Sequence, residues 1–244
     1  MGSKKYKGKI CVYCAVNPST TGDHVFARTF FAEDQRADLP QVPACAPCNK
    51  AKSDLEHYLA TVLLFGGRHA DAGRMLENEG PRKLAKNVRL HKELSQGVEY
   101  VTEKSAAGQP VTVNMLLPFD SEKLHTLFSY IVRGLLWHHW QVLLDEHHDV
   151  RVLSLSRLIE NAFAPLFGQF ACQRADGNLG NGTFRYQGAQ GVDYPEFSFW
   201  GFSVFDGVHL TGDPEQPEAT SISLCAFTAK KGLFGKPAYA QFFS

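Results

Sequence analysis

Two stretches decide how this chain reads: Ile10-Cys11-Val12-Tyr13-Cys14 and, further on, Val42-Pro43-Ala44-Cys45-Ala46-Pro47-Cys48-Asn49. Each holds a C-x2-C pair. Such a pair places two thiolates on one tight turn, and two turns can close a tetrahedral zinc site. Cys11, Cys14, Cys45 and Cys48 are therefore expected to bind one structural Zn2+. Four thiolates leave no open coordination position, so this zinc is not expected to be catalytic. Its binding would stabilise a segment too poor in apolar residues to fold alone.

The local pattern around the pairs is short and extended, then helical. Residues 10–14 read as a short strand entering a knuckle, and 15–22 are rich in turn formers. Residues 23–31 resemble a strand and its exit, and 42–44 a second short extended piece that delivers Cys45. A helix is predicted from Asn49 or Ser53. Leu55, Tyr58, Leu59, Val62 and Leu63 fall on one apolar stripe, and Gly66-Gly67 ends it. A short helix is predicted over 70–79 and another over 82–95, after Pro81. A strand is expected at Val111–Leu117, a long helix from Ser121 to about His147, and a further helical segment over 154–167.

The character changes near Gly168. Runs at 183–187, 196–205, 208–211, 221–228 and 237–243 are rich in aromatic and β-branched residues, and Asp206-Gly207 reads as a hairpin turn between two of them. These runs predict an antiparallel sheet. The fold class expected is α+β: a zinc-bearing module over 1–66, a helical region over 67–167 and a β region over 168–244, with the last two either separate or one continuous domain.

The 244 residues carry 25 Lys+Arg and 25 Asp+Glu, so the formal net charge is zero. The distribution is uneven. Residues 1–104 hold 16 basic against 12 acidic side chains, and residues 105–244 hold 9 against 13. A nucleic-acid face is thus expected in the first half. The hydrophobic fraction is 44%, enough for a packed core. No apolar run reaches the roughly 18 residues needed to span a membrane. The lysine-rich start, Met1 to Lys9, lacks the apolar stretch of a signal peptide. A cytoplasmic protein without membrane contact is expected, and thiols there favour metal over disulfide.

Between the knuckles stands Gly22-Asp23-His24-Val25, with Arg28 beyond it, and the second knuckle runs directly into Asn49-Lys50-Ala51-Lys52-Ser53-Asp54. With the double C-x2-C frame, this pattern over residues 8–65 resembles the HNH (ββα-metal) endonucleases. It is similar in particular to bacterial members with a G-D-H-V segment, a V-P-A-C-x-x-C-N segment and an acidic helix bearing an E-x-Y-like element, here Glu56-His57-Tyr58. The resemblance implies a ββα nuclease that hydrolyses phosphodiester bonds of DNA, with RNA left open. It implies His24 as general base, and Asp23 and Asn49 as ligands of a catalytic Mg2+ or Mn2+, with His57 a candidate further ligand. Such residues suit the chemistry. A histidine titrates near neutrality, and hard oxygen donors suit Mg2+. The sequence departs from the family in one place: no Asn lies between His24 and Cys45 to orient the base, and Asp38, Gln41 or a backbone carbonyl must replace it.

Arg28 and Lys52, and Arg82, Lys86 and Arg89 on one predicted helix face, are candidate phosphate contacts. His138-His139 and His147-His148 are expected to be satisfied or solvated histidines rather than a second metal site. Cys172 and Cys225 are expected as buried small hydrophobes. The second half is assigned to regulation, to target selection or to forming a homodimer. The alternative reading is a catalytically inactive zinc ribbon that binds nucleic acid or another protein.

Overall fold

The computed structural model describes residues 4–104, 109–156, 172–209 and 221–233. Its architecture is α+β. A two-stranded antiparallel ribbon, β1 (Thr21–His24) and β2 (Gln41–Ala44), is followed at once by α1 (Ala46–Gly66). The register pairs Asp23 with Val42 and His24 with Gln41. The loop between the strands is folded into two short 3-10 turns, Arg28–Phe30 and Glu33–Gln35, which turn Phe30 and Phe31 inward.

Cys45 caps α1 without a side-chain hydrogen bond, and proline in the first turn fits the cap. The helix thus starts three residues before Asn49, because the second knuckle is its first turn. Next come α2 (Ala70–Lys86) and α3 (Val88–Gly97). Pro81 does not divide two helices as its position suggests. It sits inside α2, and the break falls at Asn87, whose side chain accepts from the Leu90 amide and starts α3. One consequence concerns the basic face: Arg82 and Lys86 lie on α2, but Arg89 lies on α3 and pairs with Glu93.

Two strands, β3 (Glu99–Lys104) and β4 (Pro110–Leu116), form a separate antiparallel pair where one strand was expected. Then α4 (Ser121–Trp140) begins at the Asp120 cap. It stops short of the expected His147 because Gln141 takes a left-handed conformation, φ 57°, and closes the helix. The chain enters β5 (His148–Ser156), so 154–156 are strand and not helix; residues 157–167 lie outside the described residues. The main sheet contains β6 (Cys172–Leu179), β7 (Phe184–Gly191), β8 (Ser198–Val204), β9 (Val208–His209) and β10 (Ser221–Lys230), and its order is β5-β10-β8-β7-β6. The run expected at 237–243 lies outside the described residues.

Asp206-Gly207 is not a hairpin turn. Both β8 and β9 pair antiparallel with β10, along consecutive parts of it, so the chain keeps its direction through 205–207. Phe205, Asp206 and Gly207 all have positive φ and form a kink within one strand path. The Phe205 carbonyl accepts from the amides of Arg68 and His69, which docks the α1–α2 link on the sheet. Gly67 is required there: a Cβ would lie 2.7 Å from that of Ala72 and 2.9 Å from that of Phe205.

One buried cluster runs from Cys11 and Val25 through α1 and α4 to Phe184, Trp200 and Ala226. Phe184 is its meeting point. Its ring lies 4.7 Å from Phe26, 5.9 Å from Phe30 and 5.9 Å from Phe128, so the ribbon's loop, α4 and the sheet share one core. Gly134 lets α4 approach Val25 closely, since a Cβ would meet that side chain at 3.0 Å. No helix among the described residues is long and apolar enough to cross a membrane.

Candidate metal centre and the histidine beside it

The four cysteines come together as their spacing predicts. One thiol sulfur from each of Cys11, Cys14, Cys45 and Cys48 lies within 4.8 Å of the others. This group could hold a metal ion such as zinc. Among the described residues no other set of three or more His, Cys, Asp or Glu side chains is close enough to share one. The turn that delivers the first pair is fixed by its own backbone. The Ala15 amide donates to the Cys11 carbonyl, with Ala15 at φ 55°, and the Cys11 amide donates to Asn17. Burial opposes ionisation of Cys14, but the amides of Asn17 and Val16 outweigh it and lower the thiol to about 7. That thiol is nearest to the thiolate a metal requires.

The frame also brings Tyr13, inside the first C-x2-C, against β1. Its hydroxyl donates to Asp23 Oδ2 at 2.6 Å. Lys52 reaches the same oxygen from α1, with Nζ 3.1 Å away, and donates to the His24 carbonyl at 2.7 Å and to Glu56 Oε1. Its side chain has 0% exposure. A lone buried ammonium would be very costly, and two carboxylates and a carbonyl offset that cost. Lys52 is therefore no surface phosphate contact. It is a buried brace between strand and helix. Burial raises Glu56 to about 7 against the opposing pull of Lys52.

Asn49, Lys52 and Glu56 recur at i, i+3 and i+7, one helix face. Lys52 and Glu56 show that this face meets β1. Asn49 is half-buried one turn earlier, and its backbone N–H donates to the Cys45 carbonyl at 3.0 Å. His57 stands about 100° round the helix from Glu56 and is exposed. Arg28 is exposed just beyond β1, and Arg82, Lys86 and Arg89 are exposed as well.

His24 ends β1 half-buried. Gln41, its partner across the ribbon, places Nε2 2.9 Å from His24 Nε2. Burial lowers the pKa of His24; Asp23 opposes this, while Arg28 and Lys52 reinforce it. The ring is thus neutral near pH 7. With the Gln41 amide nitrogen donating, Nε2 holds the lone pair and Nδ1 the proton; the amide turned end for end would accept from Nε2–H and free Nδ1 as the basic nitrogen. Asp38, the other side chain considered for orienting the ring, is exposed with φ 54° in the loop.

In the two histidine pairs, three side chains are satisfied or solvated as expected. His139 Nε2 lies 3.0 Å from the Tyr186 hydroxyl, and burial lowers its pKa to about 4. His148 pairs with Asp145 at 2.7 Å, and His147 is exposed. Cys225 is buried, its thiol pushed up to about 12 by that burial. Cys172 is only half-buried. Tyr13 and Gln41 are the site residues that motif reading undervalued. Tyr13 had a signal in its place inside the knuckle, and Gln41 in its place opposite His24. Compared with known proteins, the chain matches no family model, no curated protein and no solved structure.

Proposed function

We propose that the chain is a metal-dependent endonuclease of the HNH type that hydrolyses phosphodiester bonds of DNA. The observation that carries this reading is the His24–Gln41 pair at 2.9 Å, set beside Asp23 in a ribbon that leads directly into a helix through a four-cysteine frame. A neutral, oriented imidazole is what a general base needs to take a proton from water at pH 7. Gln41 supplies the orientation that the missing Asn would give.

The donor set suits a hard divalent ion. Tyr13 and Lys52 both meet Asp23 at Oδ2, which leaves Oδ1 as a hard oxygen donor. Asn49 offers an amide oxygen from the helix face that meets β1. Asp23 and Asn49 would hold Mg2+ or Mn2+, with water filling the other positions. Such an ion supplies Lewis-acid stabilisation of charge building on the phosphate. With the Gln41 amide oxygen turned to accept from Nε2–H, His24 Nδ1 accepts the proton of the attacking water; Gln41 keeps the ring in place, and Tyr13 and Lys52 fix the Asp23 carboxylate. Exposed Arg28 is placed to meet a neighbouring phosphate.

A second reading has one observation in its favour. Lys52 already neutralises Asp23, as it would in a zinc ribbon that binds nucleic acid or a protein without cutting. Nicking of supercoiled plasmid separates the two. With Mg2+ or Mn2+ the intact protein should relax the plasmid, and His24→Ala should be slower by at least 100-fold, the usual scale of a lost general base. Equal cutting by the variant would remove His24 from its role, and no cutting with either ion would favour the ribbon.

A further inference from the structure

We infer that a second site, for a nucleotide-sized phosphate-bearing ligand, lies between α4 and β5 on the far side of the Tyr13 knuckle. A cavity of about 420 Å³ opens there, lined by Tyr13, His125, Ser129, Tyr130, Arg133 and Arg151 among others. The volume falls in the range of small-molecule sites, roughly 300–1,000 Å³. The lining has two guanidinium groups and no carboxylate. This lining favours an anion, with Asp145, Asp149 and the Cys14 thiol also within electrostatic reach of Arg133.

The charges are differently mounted. Arg133 is half-buried and anchored, with Nη1 donating to the Leu144 carbonyl at 2.7 Å, so one arm of its fork is fixed. Arg151 projects from β5 and is exposed. A guanidinium fork matches two phosphate oxygens, and one anchored and one free arginine suit capture of a small anion. A hydroxyl and an imidazole lie alongside, both already engaged: the Ser129 hydroxyl donates to the His125 carbonyl at 3.0 Å, and His125 Nε2 lies 3.0 Å from Ser154 Oγ. Tyr130 and Tyr13 meet edge to face, ring centroids 5.1 Å apart, and give the cavity an aromatic wall. Such a wall takes a base or ribose where a bare phosphate would leave it empty. The shared chemistry is a nucleoside phosphate, either free or at the end of a strand.

Binding is measured calorimetrically on the zinc-loaded full chain without added divalent metal, so the result does not depend on cleavage. The probes are a nucleoside 5′-monophosphate, inorganic phosphate and a short 5′-phosphorylated oligonucleotide. The monophosphate should bind more tightly than inorganic phosphate, and Arg151→Glu should weaken it at least tenfold. Because Arg151 is exposed, that variant keeps its fold, checked by an unchanged melting temperature. Arg133→Gln provides a second variant and should weaken binding likewise. If the oligonucleotide binds and the monophosphate displaces it, the ligand is a strand end; if only the monophosphate binds, it is a free nucleotide. No binding of any probe, or equal binding by wild type and Arg151→Glu, overturns the proposal.

Discussion

At the scale of single residues, the most informative side chain is Lys52. Its ammonium has no access to water and is held by Asp23, Glu56 and the His24 carbonyl. Removing one partner of such a group leaves the others buried and unpaired. Lys52→Met should therefore cost about 3–5 kcal/mol of stability, read from urea unfolding of the zinc-loaded protein. A cost under about 1 kcal/mol would show that the brace does not form. The sequence could name Lys52 as a basic residue near the motif but not its direction. That depends on α1 starting at Ala46, which turns Lys52 toward β1 with Glu56 beside it. By contrast, Asp23 and His24 could be named as candidates because they stand together inside the frame. Their partners were not legible: Asp23 meets the knuckle and helix, while His24 meets Gln41 across the ribbon.

At the scale of elements, the metal frame was legible because thiolate chemistry allows few geometries, and a C-x2-C turn is strictly local. The order ribbon then helix followed from it. The frame is also the most sensitive element. Within residues 10–18 the thiols, the backbone turn and the buried Val12 and Tyr13 supply the anchoring, while Ile10 and Val16 are exposed. Cys14→Ser should take bound zinc from one ion per chain to none and lower the melting temperature by several degrees, as structural zinc contributes folding free energy directly. Zinc content by elemental analysis and a thermal scan check this; a full zinc complement in the variant would contradict it. Elements whose ends depend on one backbone angle were less legible. Gln141 ends α4 in a left-handed conformation that glycine usually supplies, so the apolar pattern ran past it. Asp206-Gly207 has the composition of a hairpin, yet β10 holds the strands on both sides of it and makes it a kink. Pairing with a distant strand decides that outcome, and local composition does not carry it.

At the scale of the whole molecule, the ribbon, α1, α4 and the sheet share a core that centres on Phe184. Patterning identified both halves as structured but could not show them packed through the same ring. Phe184→Ala should cost about 3–5 kcal/mol, the usual range for an emptied aromatic site in a core. It should shift the unfolding of the ribbon and the sheet together, as seen by zinc release and by far-ultraviolet dichroism. Zinc release that stays at its wild-type midpoint would show instead that the two halves unfold independently. The shared core also sets the candidate site in a rigid surround, since Val25 and Phe26, directly after His24, are both fully buried. Catalytic groups held in this way stay within the narrow tolerance that proton transfer requires.

The central claim is that Asp23 and Asn49 form a hard-cation site separate from the four-cysteine site. A crystal of the zinc-loaded protein soaked in Mn2+, with anomalous data collected at the manganese and zinc edges, tests this most directly. Manganese should appear between Asp23 and Asn49 close to His24, with zinc alone among Cys11, Cys14, Cys45 and Cys48. Saturating Mn2+ that leaves Asp23 bound only to Tyr13 and Lys52, with no manganese beside it, would contradict the claim.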